Sequence, residues 1–194
     1  MSLFQLYLKL GINHIIDIQG YDHVLFIIAL CIVYPVKHWQ KLVLLITAFT
    51  LGHTITLALA TFEILNISTN LIEFLIPATI FFTAFMNLIQ KSEKIHNFYH
   101  NIKYIAALFF GLIHGLGFSN YLQSLLGKEE SIILPLFAFN LGIEIGQLLV
   151  LSLILGLTLI FVDLFGIKRR EWIIGFSGAA IGISIILMLE RIPW

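Results

Sequence analysis

Apolar residues run along this chain in long blocks separated by short polar seams. A helix needs about 20 apolar residues to cross the hydrocarbon core of a bilayer. Six blocks qualify, at residues 20–36, 42–62, 70–90, 103–123, 132–163 and 171–190. The first is short unless it begins before Gly20, and the fifth is long enough to tilt or to extend past the membrane. Pro35 ends the first block. Residues 2–17 place Leu3, Leu6 and Leu10 on one side of a helix, which predicts a short helix lying at the interface. The expected fold class is an all-α integral membrane protein of six transmembrane helices plus this interfacial helix. It forms a single transmembrane domain over 1–194, with the N-terminal segment 1–19, three spans in 20–90 and three in 103–190.

Composition agrees. The chain is 59% hydrophobic and 11% charged, with a mean hydropathy of +0.99. A soluble domain is roughly a quarter charged. The formal net charge is zero, which leaves no basic surface for nucleic acid. Cys31 is the only cysteine, which excludes an internal disulfide and a thiolate cluster. The N-terminus lacks the basic start of a secretory signal and reads as part of the mature protein.

The basic residues give a direction. Lys37, Lys41, Lys91, Lys94, Lys103, Lys168, Arg169 and Arg170 fall on one side of the predicted topology, and Lys9, Lys128 and Arg191 on the other. The richer side is expected to be cytoplasmic, with both termini outside a bacterial inner membrane. In the polar loop 91–103, His96 and His100 have a metal-compatible spacing if helical, though a solvated loop is the plainer reading.

Several polar groups interrupt the apolar blocks. His14 and Asp17 precede the first span, which starts with Asp22 and His23. The second carries Thr50, His53 and Thr54 on one helical face. Glu73 lies near the outer end of the third, with Thr83 and Asn87 further in. The fourth carries His114 between Gly111 and Gly115, and the fifth Asn140, Glu144 and Gln147 on one face. The sixth has no ionisable residue in its interior, and Gly178 and Gly182 form a small-residue packing face that could support a homo-oligomer. Each residue has a plain structural role open to it. His53 or His114 can hydrogen-bond a neighbouring helix, Asn140 and Gln147 can join helices, Asp17 can sit in interfacial water, and Asp22 can cap a helix. As a set they are harder to dismiss. Three histidines with Asp22 and Glu144, on four spans with few other ionisable groups, are costly against lipid and should face inward and meet. Imidazole and carboxylate together suit a divalent transition metal.

An internal match supports duplication. AFTLGHTITLAL (48–59) aligns with AFNLGIEIGQLL (138–149), and GYDHVL (20–25) with GLIHGL (111–116). Spans one and two then correspond to four and five, an inverted 3+3 arrangement of the kind that places a transport site between halves. It makes His23 the counterpart of His114. At the helical rise His53 lies about 18 Å from the inner edge and Glu144 about 14 Å from the outer one, with His23 shallower.

G-x-x-H (11–14), G-x-D-H-x-L-F (20–26), F-T-x-G-H-T-x-T-L (49–57), F-G-L-I-H-G-L-G-F (110–118) and F-N-x-G-x-E-x-G-Q (139–147) together resemble the HupE/UreJ family of small bacterial membrane proteins. The resemblance covers residue 11 to about 190. It implies a nickel permease associated with hydrogenase or urease maturation, with His14, Asp22, His23, His53, His114 and Glu144 as metal-binding residues; the polar residues of the spans, Thr50, Thr54, Glu73, Asn140 and Gln147, are expected to support them. The related nickel–cobalt transporters carry H-x4-D-H, whereas His14 here stands further from Asp22. Three readings follow. The first is a passive or proton-coupled permease, with nickel or cobalt as cargo, membrane lipid around it, and an exit past Thr83, Asn87 or Asp163. The second is an intramembrane zinc enzyme acting on a lipid or membrane peptide, against which stands the absence of an H-E-x-x-H motif. The third is an accessory subunit that binds no metal.

Overall fold

The structure, a computed structural model, describes residues 1–17, 20–62, 64–65, 67–90, 97–126 and 132–193. Among these the protein is entirely helical. The helices are α1 (Leu3–Ile16), α2 (Asp22–Cys31), α3 (Trp39–Thr61), α4 (Thr69–Ile89), α5 (Asn97–Leu126), α6 (Ile133–Thr158) and α7 (Arg169–Glu190). A 3-10 turn, Val36–His38, leads into α3, and a wide π-helical stretch, Leu159–Leu164, extends α6. Five segments are long and apolar enough to cross a membrane: Val36–Thr61, Thr69–Ile89, Asn101–Ser119, Ile133–Leu164 and Arg169–Glu190.

The first apolar block behaves differently from its expectation as a full span. Its helix, α2, has only 10 residues. α1 is started by a capping box, in which Gln5 N donates to Ser2 Oγ at 3.2 Å and Ser2 N donates to Gln5 Oε1 at 3.0 Å. It does not lie across the end of the bundle. It runs alongside α6, burying Tyr7, Gly11 and Ile15 against it and leaving Leu3 and Leu6 exposed.

Glycine sets how closely the helices approach. A methyl on Gly52 of α3 would collide with the carbonyl oxygen of Leu108 on α5, and one on Gly142 of α6 with that of Leu8 on α1. Gly111 of α5 meets Phe49, as Gly11 of α1 meets Phe139. The two crossings therefore use matched positions, and α1 stands to α6 as α5 stands to α3. These contacts make α1 parallel to α6 and α5 parallel to α3.

α3 and α6 are antiparallel, as are α4 and α7. Thr54 of α3 faces Asn140 of α6, while Thr47 faces Glu144. At the start of α7, Arg170 donates to the carbonyls of Asn87, Leu88 and Gln90, satisfying the end of α4. Asn87 also donates to Ala29 O of α2 at 2.6 Å. Pro77 inside α4 has no N–H for the carbonyl of Glu73. Gly178 and Gly182 of α7, expected to pack, meet nothing within 4 Å in the chain. His96 and the side chain of His100 lie outside what is described.

Candidate metal site

Four histidines converge from four helices. His14 stands in the last turn of α1, His23 in the first turn of α2, and His53 and His114 within α3 and α5. One ring nitrogen from each of His14, His23 and His53 lies within 4.8 Å of the others. The ring centroids are 4.5 Å apart for His14 and His23, and 6.0 Å for His14 and His53. His114 joins through His23, with centroids 5.4 Å apart. The break between α1 and α2 makes this possible, because it delivers two histidines to one place from consecutive helix ends.

His23, His53 and His114 are buried and His14 is half-buried, with aromatic rings around them. Phe26 and Phe49 lie against His114, at centroid distances of 5.2 and 5.0 Å. Phe118 lies 4.1 Å from His14 and stacks on Phe139. Yet His14 Nε2, His23 Nε2, His114 Nδ1 and both nitrogens of His53 have no hydrogen-bond partner. Leaving such an atom buried and unpaired costs on the order of 1–3 kcal/mol. A cation that accepts one lone pair from a ring removes that cost for the atom that binds it.

Neighbouring groups orient two of the rings. Asp22 Oδ1 lies 3.0 Å from His23 Nδ1 and accepts from the His23 backbone N–H at 2.9 Å. Asp22 is the first residue of α2 rather than its cap, which is Tyr21. With Nδ1 directed at the carboxylate, Nε2 of His23 is left for a ligand, the arrangement that fixes ring orientation in metal sites. On the other side, Thr79 Oγ1 lies 3.2 Å from His114 Nε2 and donates to Ile76 O at 2.7 Å. Its single proton is thus committed, so its oxygen accepts from Nε2–H and the lone pair of His114 falls on Nδ1.

The remaining polar residues form a second cluster between α3 and α6. Glu144 Oε1 accepts from Thr47 Oγ1 at 2.7 Å, and Oε2 meets the Thr50 hydroxyl. Thr50 also contacts Gln147 Oε1 at 2.8 Å. Thr54 Oγ1 contacts Asn140 Oδ1 at 2.8 Å, and Asn140 donates to Leu136 O. Among the described residues, the close group of ligand atoms contains His14, His23 and His53 and leaves out Glu144. Sequence reasoning missed Thr47, Thr79 and Arg191. Thr47 continues the Thr50–Thr54 face by one turn and was open to that reading, whereas nothing near Thr79 or Arg191 in the sequence points to His114 or Asp22.

A cavity of about 250 Å³ leads to the histidines. His14, Asp22, His23 and His114 line it, with Glu73 and Arg191 among its other walls. Glu73 is exposed, and Arg191 Nη1 lies 3.4 Å from Asp22 Oδ2.

A family model described as HupE / UreJ protein matches residues 1–191. The chain belongs to the HupE/UreJ family. With its five long apolar helices, this HupE/UreJ protein is a multi-pass membrane protein. Neither the curated proteins nor the solved structures give a match. In this HupE/UreJ chain the G-x-x-H, D-H and G-H sequence motifs are the three that bring His14, His23 and His53 together.

Proposed function

We propose that this protein is a permease for a divalent transition metal of the nickel or cobalt type. The observation that carries the reading is the group of three imidazoles, one nitrogen of each within 4.8 Å of the others, with His14 and His23 lining a cavity that reaches a polar rim. Neutral nitrogen donors suit these borderline cations, and a site without excess negative charge can release what it binds. His14, His23 and His53 hold the ion, His114 stands beside them, and Asp22 orients His23. Glu144, with the hydroxyls and amides around it, offers oxygen ligands for the next step, and Thr50, Thr54, Asn140 and Gln147 hold that carboxylate between α3 and α6.

The direction follows from charge. Lys37, Lys41, Lys103, Lys168, Arg169 and Arg170 lie near the starts of α3, α5 and α7 and the end of α4, so that end faces the cytoplasm of a bacterial cell and both termini face outward. The ion then enters by the cavity. The matched glycine crossings support an inverted repeat, with α1 and α3 paralleled by α5 and α6. In this register the counterpart of Gly111–His114 is Gly11–His14, and not the Gly20–His23 stretch aligned from sequence.

The test is elemental analysis and calorimetric titration of the purified protein with nickel(II), cobalt(II) and zinc(II), for wild type, His23→Ala and His53→Ala. Reversible binding lost in both variants, with loss of uptake in cells, supports the permease. Stoichiometric zinc that survives chelation, with uptake unaffected, moves the reading to an intramembrane zinc enzyme. No binding of any metal leaves an accessory role.

A further inference from the structure

Arg191 is a cation placed where a metal ion has to arrive. It follows the last residue of α7, and its side chain turns back to bring Nη1 within 3.4 Å of Asp22 Oδ2. The other oxygen of the same carboxylate holds His23. One charged group therefore links the imidazole group to the end of α7. A fixed positive charge beside a dication site opposes binding unless it can step aside. Arg191 has somewhere to go, because it lines the same cavity as Glu73, an exposed carboxylate on the first half of α4. The cavity, about 250 Å³, has room for an ion together with waters of its first shell.

Resting on the metal-permease reading, we propose that Arg191 is the resident counter-cation of Asp22, that an incoming divalent ion displaces it, and that Glu73 receives the freed guanidinium. The ion then takes over the electrostatic partnership of Asp22 while His23 stays oriented. The exchange favours a dication, because a monovalent ion gains only half as much at Asp22 against the same displaced charge. Arg191 thereby sets both affinity and charge selectivity without touching the metal.

The experiment is titration of nickel(II) chloride, in low salt, into detergent-purified wild type, Arg191→Gln, Arg191→Lys, Glu73→Gln and Arg191→Gln/Glu73→Gln. Thermal unfolding without metal is measured alongside, and His23→Ala serves as the control for the site. Removing a nearby unit charge from a water-filled site is expected to tighten dication binding about tenfold in Arg191→Gln. Arg191→Lys should stay within about threefold of wild type, since the charge is kept. Glu73→Gln should bind more weakly than wild type, and the double variant should bind like Arg191→Gln alone. Arg191→Gln that folds and binds no tighter than wild type overturns the proposal, as does Glu73→Gln with unchanged affinity, a result that holds even if Arg191→Gln fails to fold. Wild type that binds no nickel in a His23-dependent way overturns the permease reading and this one with it, whereas His23-dependent binding indifferent to Arg191 and Glu73 overturns this one alone.

Discussion

Two buried polar clusters lie close together in this bundle and are built on opposite rules. In the cluster around Glu144, the two carboxylate oxygens meet the hydroxyls of Thr47 and Thr50, and the amide oxygens of Asn140 and Gln147 meet hydroxyls of α3. In the histidine cluster, five ring nitrogens on four residues meet nothing. In the first cluster the oxygens are partnered, Gln147 Nε2 alone is left without a partner, and the contacts bind α3 to α6. The second is incomplete and faces a cavity. Spacing and residue type did not separate the two. The density of unpartnered atoms does, because buried polar atoms are mostly paired and several orphaned nitrogens in one place call for an explanation.

This contrast is open to measurement. The largest effect belongs to His53→Ala, which should lower nickel affinity at least about a hundredfold and, because the ring is fully buried, also lower metal-free stability by about 2–4 kcal/mol through the cavity it leaves. Calorimetry and thermal unfolding in detergent read both halves. Nickel affinity left unchanged would place His53 with the structural cluster instead. Asp22→Asn should weaken binding by about 10–100-fold, because the orientation of His23 and its partner charge are both impaired. Thr50→Val should act the other way round. It removes a hydroxyl shared by Glu144 and Gln147, so stability should fall by about 1–3 kcal/mol while affinity at the histidines changes less than about threefold. The smallest effect is expected for Thr79→Val, which frees His114 Nε2 without touching His14, His23 or His53, and should alter affinity by no more than about threefold.

How far these features were legible in the sequence differs from element to element. The five long helices were readable because hydropathy over about 20 residues reports what a bilayer demands. α1 was misread because a 14-residue helix with Leu3 and Leu6 on its outer face has the same pattern whether that face meets headgroups or lipid tails. What decides the matter is Gly11 pressed against Phe139, a contact between residues far apart in the chain. The match between α3 and α6 was visible as F-x-L-G, whereas the sequence aligned Gly111–His114 with Gly20–His23 and the glycine crossings match it with Gly11–His14. Both G-x-x-H and G-x-D-H offer a glycine and a histidine three apart, and only the crossing with α6 tells them apart. The histidines drew attention because imidazoles are rare and costly in apolar segments. Arg191 served only in the count for topology, since no local pattern links it to Asp22, 169 positions away.

The split between α1 and α2 bears on how the chain is assembled. α1 is 14 residues, about 21 Å at the helical rise, and so falls short of a hydrocarbon core about 30 Å thick. Its last turn carries His14 and Asp17 caps it, and lipid solvates neither. The helix that covers it, α6, begins only at Ile133. α1 therefore reaches its place, and brings His14 to His23 and His53, only against a helix encoded much further along the chain.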